Sequence, residues 1–263
     1  MKLRTGFAAL AAVLAVSASA SAAPIVFTGS GTAASVPVTA SVSFDISGNT
    51  LTIVLKNTSP SNAVQDVPGS TLSGVFFDLT GNPALVPVSA LIAAGAIVGT
   101  CSGTCNGSTT NVGGEWGYQA TSFPGSADRG IASSGYLTTG LAGNIGNFNN
   151  GAAGTDLDSP NSLNGINFGI ISAALGFNPN GGLENDPVIQ DTVTFVLTGV
   201  NGLDNDDISH VSFQYGTSLT ETNIPGDKIP PPPHIDVPEP GTLALLGFGL
   251  AGLGLFRNRR RSV

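Results

Sequence analysis

From Val36 to Leu55 the chain alternates. Val36, Val38, Ala40, Val42, Phe44 and Ile46 are apolar, and Ser, Thr and Asp fill most of the positions between them. A period of two sends successive side chains to opposite faces of an extended strand, one toward a core and one toward water. Ser47-Gly48-Asn49 supplies a turn and Leu51, Ile53 and Leu55 resume the alternation, so this stretch predicts a β-hairpin. Pro37 fits there if the strand is just beginning or lies at an edge. Leu72 to Leu79, reading LSGVFFDL, predicts a third strand that ends at the Gly81-Asn82-Pro83 turn. Ala90 to Ala96 is Ala-rich enough for a short helical turn, but Pro87, Gly95 and the β-branched neighbours argue against a long helix.

Between Gly99 and Gly154 the chain is rich in Gly, Ser, Thr and Asn, with aromatics at Trp116, Tyr118, Phe123, Tyr136 and Phe148. Short strands are expected around Trp116 to Ala120 and Ile131 to Leu137, with long surface loops between them. Further strands are predicted at INFGIIS after Gly165, at Val188 to Leu197 (VIQDTVTFVL) and at His210 to Tyr215. Asn-Gly dipeptides at Asn106, Asn150, Asn164, Asn180 and Asn201 mark tight turns. Short strands separated by such turns predict an all-β fold, an antiparallel, jelly-roll-like β-sandwich.

Composition agrees: 36 Gly and only 10% charged residues suit turns and strands better than helices. The formal charge of -8 understates the acidity of the body, because six of the nine basic residues lie at the two ends of the chain. From Asp45 to Asp236 sixteen carboxylates face only Lys56, Arg129 and Lys228, a net charge of -13. Nucleic acid is excluded as a partner by that balance, since phosphate binding needs clustered Lys and Arg.

Both ends carry addresses. Lys2 and Arg4, the apolar run Phe7 to Val16 and a small-residue stretch form a secretory signal peptide, with Ala20-Ser21-Ala22 as the cleavage pattern. At the other end, Pro230 to Pro233 are consecutive prolines, which favour a stiff polyproline II spacer. A Pro-Glu-Pro-Gly turn follows, then an apolar run from Thr242 to Phe256, then Arg257, Arg259, Arg260 and Arg261. An apolar run closed by a basic cluster is a membrane stop whose arginines stay in the cytoplasm. As a helix the run spans about 22 Å against about 30 Å of hydrocarbon, short for a permanent anchor. Gly247, Gly249 and Gly252 spell GxGxxG within it, but no strand precedes them, so the dinucleotide reading fails on context.

The order of motif, apolar span and basic end closely resembles the PEP-CTERM sorting signal of Gram-negative bacteria, with Pro238, Glu239 and Pro240 as the signature tripeptide. The resemblance covers the C-terminal end alone. It implies the Sec translocon and the membrane transpeptidase exosortase as partners, and a precursor that passes through the inner membrane to the cell surface or extracellular matrix. The pairing of FVLTG with a downstream VSFQYGT is similar to ectodomains of exosortase-dependent surface proteins, over roughly Gly165 to Glu221, and carries no activity across. The resulting organisation is a signal peptide (1–22), a β-sandwich ectodomain (23–224), a Pro-rich linker (225–237) and a sorting signal with a short transmembrane helix (238–263).

Little in the ectodomain invites catalysis. His210 and His234 are the two histidines, and no GxSxG elbow accompanies them, which argues against a hydrolase triad. Asp204, Asp206 and Asp207 in LDNDDIS are weak calcium candidates, as is the pair Asp156 and Asp158, because closely spaced Asp and Asn can supply several oxygen ligands. The EF-hand spacing is absent, and solvated turn residues are the better account of them. Sixteen carboxylates make any one pair undiagnostic of glycoside hydrolysis. Trp116 in GEWGY, with Tyr118 beside it, has the flat face that stacks on a sugar, although a lone Trp in an all-β chain more often packs in the core. The expectation is a non-enzymatic surface or matrix protein, structural or adhesive and associated with exopolysaccharide or the cell envelope. A carbohydrate-binding module is the alternative and a secreted glycoside hydrolase the next.

Cys101 and Cys105, in CSGTC, are the only cysteines. Two thiols and so few histidines make a poor zinc site, whereas an oxidising compartment favours a disulfide. The exported protein is expected to resist alkylation at both cysteines until reduced. In the loop-entropy account so small a loop contributes about 2 kcal/mol.

Overall fold

The computed structural model describes residues 23–60, 67–93, 96–99, 111–120, 122–133, 168–175, 183, 187–230 and 249–250. It divides into two units, Met1–Ile229 and Pro230–Val263. In the first, the strands in chain order are β1 (Ile25–Ala33), β2 (Val36–Ser47), β3 (Thr50–Asn57), β4 (Leu72–Leu79), β5 (Val86–Ile92), β6 (Val98–Gly99), β7 (Gly117–Gln119), β8 (Arg129–Ala132), β9 (Ile170–Ile171), β10 (Val188–Gln190), β11 (Thr192–Thr198), β12 (Ile208–Tyr215), β13 (Asn223–Pro225) and β14 (Asp227–Ile229).

They form two sheets. One runs β14-β1-β2-β3-β11-β5; the other runs β13-β12-β4-β9-β10-β6, with β8 against β4 and β7 against β8. The predicted hairpin is β2 and β3, joined in register from Ala40 opposite Asn57 to Ser47 opposite Thr50. Its alternation is the alternation of burial: Val38, Ala40, Val42, Phe44 and Ile46 face inward with Leu51, Ile53 and Leu55. The sheets share one core. Phe44 of β2 meets Phe77 of β4 at 5.2 Å between ring centroids, and Trp116 meets Phe195 of β11 at 4.9 Å.

β4 behaves differently from β2. Every residue from Leu72 to Phe77 is buried, because its second face is also covered. Phe76 points away from the main core and stacks on Phe123 at 4.6 Å, within a small outer cluster that also holds Ala127, Ala132 and Leu219. Gly130 makes room for that ring, since a Cβ there would lie 2.3 Å from Phe76.

Several expectations are corrected. The ladder is not wholly antiparallel, since β9 and β10 run parallel. Consecutive β1, β2 and β3 lie side by side as a meander, so the strand order differs from the two Greek keys of a jelly roll. The run Val188 to Leu197 is two strands in different sheets, broken at Asp191, whose φ of 82° turns the chain. Asp tolerates that left-handed region better than most residues. Here it is also held, with Lys56 Nζ 3.0 Å from Oδ1 and the Thr192 hydroxyl donating to Oδ2 at 2.7 Å. Ala90 to Ile92 is strand and not helical turn. The ectodomain continues past Asn223 into β14, within the stretch expected to be linker, because Val26, Phe27 and Thr28 of β1 pair with Ile229, Lys228 and Asp227. In the second unit Gly249 and Leu250 are helical. Among the described residues no helix is long and apolar enough to cross a membrane.

Buried hydroxyls and amides join the sheets. Asn57 of β3 donates through Nδ2 to the Ile170 carbonyl of β9 at 2.8 Å and accepts from Ser59 Oγ at 2.6 Å, and Ser172 Oγ donates to the Ser59 carbonyl. Tyr215 is fully buried, its hydroxyl near Ser59 without a hydrogen bond of ordinary geometry. Burial pushes its pKa well above the usual phenol range, and that of Tyr118 upward also. A raised folded pKa means that stability is intact below the unfolded value of about 10 and is lost as pH rises beyond it, because the unfolded phenol ionises first. Urea titrations should therefore show the midpoint falling above about pH 10. The fall should be smaller in Tyr215→Phe, and an equal fall in that variant would remove Tyr215 from the account.

Candidate functional site

A polar cluster with a histidine, a buried arginine and two carboxylates lies where the ends of β4, β8 and β12 meet. Asp78 closes β4 from a half-buried position. Its Oδ1 accepts the backbone N–H of Asp128 at 2.7 Å, and its Oδ2 accepts Nδ1–H of His210 at 2.6 Å. Asp128 in turn accepts Arg129 Nε through Oδ1 at 2.7 Å. Arg129 is fully buried, and its other nitrogens donate to the Pro83 carbonyl at 3.1 Å and to Asn82 Oδ1 at 2.6 Å. A guanidinium out of water is tolerable only when its donors are filled in this way.

His210 is presented by backbone distortion. The register of β12 against β4 slips between Ser209 and Ser212, and His210 sits in the slip with a φ of 47°. Bulges of this kind re-aim a side chain, and the imidazole ends 65% exposed. A carboxylate on Nδ1 orients a histidine as a triad's Asp does, but chemistry of that type needs a nucleophile on the other nitrogen. Among the described residues, Asp78 is the only hydrogen-bond partner of the ring. The arrangement ties three strand ends together and displays an oriented imidazole.

Asp204, Asp206 and Asp207 lie together at the turn before β12, each with its own task. Asp204 Oδ1 accepts the Asp206 N–H and Asp207 Oδ2 accepts the Asp204 N–H, both at 2.9 Å, closing a capping box around the 3-10 turn Asn205–Asp207. Asp206 faces solvent and pairs with Lys228 Nζ at 2.7 Å. Among the described residues no three His, Cys, Asp or Glu side chains converge as metal ligands. The residue at this turn that the sequence concealed is Asn205. It is buried, accepts the Ile46 N–H at 2.7 Å and donates to the Ala23 carbonyl at 2.8 Å, fastening the segment that leads into β1. An Asn within an acidic turn carries no pattern that separates a fastener from a solvated residue. Arg129 had a fainter signal, as one of three bases in an acidic body.

Trp116 is withdrawn as a sugar platform. It has no exposed surface, packs on Phe195 and donates Nε1–H to the Phe168 carbonyl at 3.2 Å. Pro238, Glu239 and Pro240, the four terminal arginines, Cys101, Cys105, His234, Asp156 and Asp158 lie outside the described residues.

Comparison with known families finds the PEP-CTERM protein-sorting motif at residues 236–261. That span holds the tripeptide, the apolar run and all four arginines. No curated protein and no solved structure matches the chain.

Arg129→Met should lower stability by about 1 to 3 kcal/mol, because Asp128, Asn82 and the Pro83 carbonyl lose their donor while the aliphatic volume is kept. His210→Ala, whose imidazole is largely exposed, should stay within about 0.5 kcal/mol of wild type. Chemical denaturation of both variants checks the contrast.

Proposed function

We propose, taking the PEP-CTERM sorting motif at residues 236–261 as the premise, that this chain is an exported surface or matrix protein cut from a temporary membrane stop by exosortase. The match to that motif is the observation that carries the reading. Its role at the surface, on this reading, is structural or adhesive and not catalytic, in association with the envelope or with exopolysaccharide. The destination that the motif implies supports that choice.

The mechanism follows from charge and backbone chemistry. Four arginines resist crossing, so translocation halts with the apolar run in the bilayer and Pro238-Glu239-Pro240 at the outer face of the inner membrane. The two prolines fix φ, and each disfavours helical backbone in the residue before it. The tripeptide is thereby kept extended, in the form a membrane-embedded processing enzyme takes into its cleft.

Replacing the tripeptide by Ala-Ala-Ala lets helix propagate through it and should leave the precursor uncut. The mass of the C-terminus, measured on protein from envelope and medium, is compared in wild type, the triple variant and a host lacking exosortase. Cleavage near Pro240 in wild type alone is the expected result. A mature wild-type protein that still ends at Val263 would make the tail a plain anchor.

A further inference from the structure

One stretch of chain supplies an edge strand to both sheets. β13 closes one sheet, where Ile224 lies opposite Phe213 of β12, and β14 closes the other, where Lys228 lies opposite Phe27 of β1. Gly226 makes the crossing between them, its N–H donating to the Val211 carbonyl at 2.8 Å. Two glycines of β1 leave room for the first half of this stretch. A Cβ on Gly29 would lie 2.7 Å from the Pro225 carbonyl oxygen, and one on Gly31 would lie 2.8 Å from the Ile224 side chain.

The two halves are held unequally. In β13, Ile224 is buried in the main core, and Asn223 donates through Nδ2 to Ser212 Oγ at 3.2 Å and to the Phe213 carbonyl at 3.3 Å. In β14, Asp227, Lys228 and Ile229 are all exposed. Among the described residues, the side-chain bond of β14 is the pair of Lys228 Nζ with Asp206 Oδ1 at 2.7 Å, and a pair so open to water holds little. The ladder cannot grow, because residues 230–233 are prolines without an N–H to give. A strand that buries none of its side chains opens at the low end of the free-energy scale for local unfolding, whereas core strands open with the whole domain. We propose that β14 is a strap that leaves β1 as a unit while β13 stays seated. The folded body then ends at Ile229 when the strap is closed and at Gly226 when it is open.

The use of the strap rests on the sorting reading above. Residues 230–237 are all the chain between β14 and the Pro238-Glu239-Pro240 tripeptide, and a segment of that length reaches at most about 28 Å. A folded domain on so short a leash crowds the enzyme that has to take the tripeptide. Releasing Asp227 to Ile229 adds about 10 Å to the leash and unseats no buried side chain of the strap. Opening therefore gives the processing enzyme room while the sandwich stays folded, and reclosing restores the edge of β1.

Lys228 lies within the strap and makes the test direct, because trypsin cuts only chain that can leave its ladder and enter the protease cleft. The full chain is digested under native conditions and its fragments are weighed. A locked variant, Thr28→Cys/Asp227→Cys, places its two cysteines opposite each other in the β1–β14 register, and Thr28→Ser/Asp227→Ser is its control. Cleavage after Lys228 should be faster than after Lys56 of β3 or the buried Arg129 by about tenfold or more. It should be lost in the oxidised locked variant, return with reductant and persist in the control. Cleavage after Lys228 that begins only where urea unfolds the whole domain, together with cleavage after Lys56, overturns the strap. A second arm follows processing in the exporting host, where the locked variant should accumulate uncut precursor and the control should not. Equal processing of the two overturns the leash. A wild type never cut near Pro240 sinks the sorting reading, and the leash with it, while the trypsin result still decides the strap.

Discussion

The structure depends on the burial of two hydrophobic sheet faces against each other, carried at its centre by aromatic contact. Phe27 of β1 meets Phe44 of β2 edge-on at 5.9 Å, and Phe44 meets Phe77 of β4 across the gap between the sheets. Each ring removes a large apolar area from water, and edge-to-face geometry adds to that. Because neither sheet can hide its inner face alone, every strand crossing has to return the chain to this interface.

The crossings are where polar chemistry collects. Asp191 turns the chain from one sheet to the other and is fastened by Lys56 and Thr192. Asn57, Ser59 and Ser172 fill one another's hydrogen bonds across the sheets. Arg129 does the same where β4, β8 and β12 end. A buried polar group is costly unless partnered, so these networks favour one arrangement of the strands over near alternatives with similar apolar burial.

The sequence by itself determined what depends on local pattern. The hairpin of β2 and β3 was legible because one face is wet and one dry, and β4 was legible with the bounds Leu72 and Leu79 because Phe, Val and Leu crowd between turn residues. The sorting motif was legible because translocation reads the chain linearly, as charge and hydropathy in order. Tertiary structure decided the rest. β14 is a strand because it completes the outer edge of β1, across about two hundred residues that no local pattern spans, while β1 itself is held along its length by β2. VIQDTVTFVL reads as one strand until Asp191 is seen to divide it between sheets. Trp116 became core, and the acidic turn became a capping box, because the fate of a side chain is set by the neighbours that folding brings to it from far along the chain.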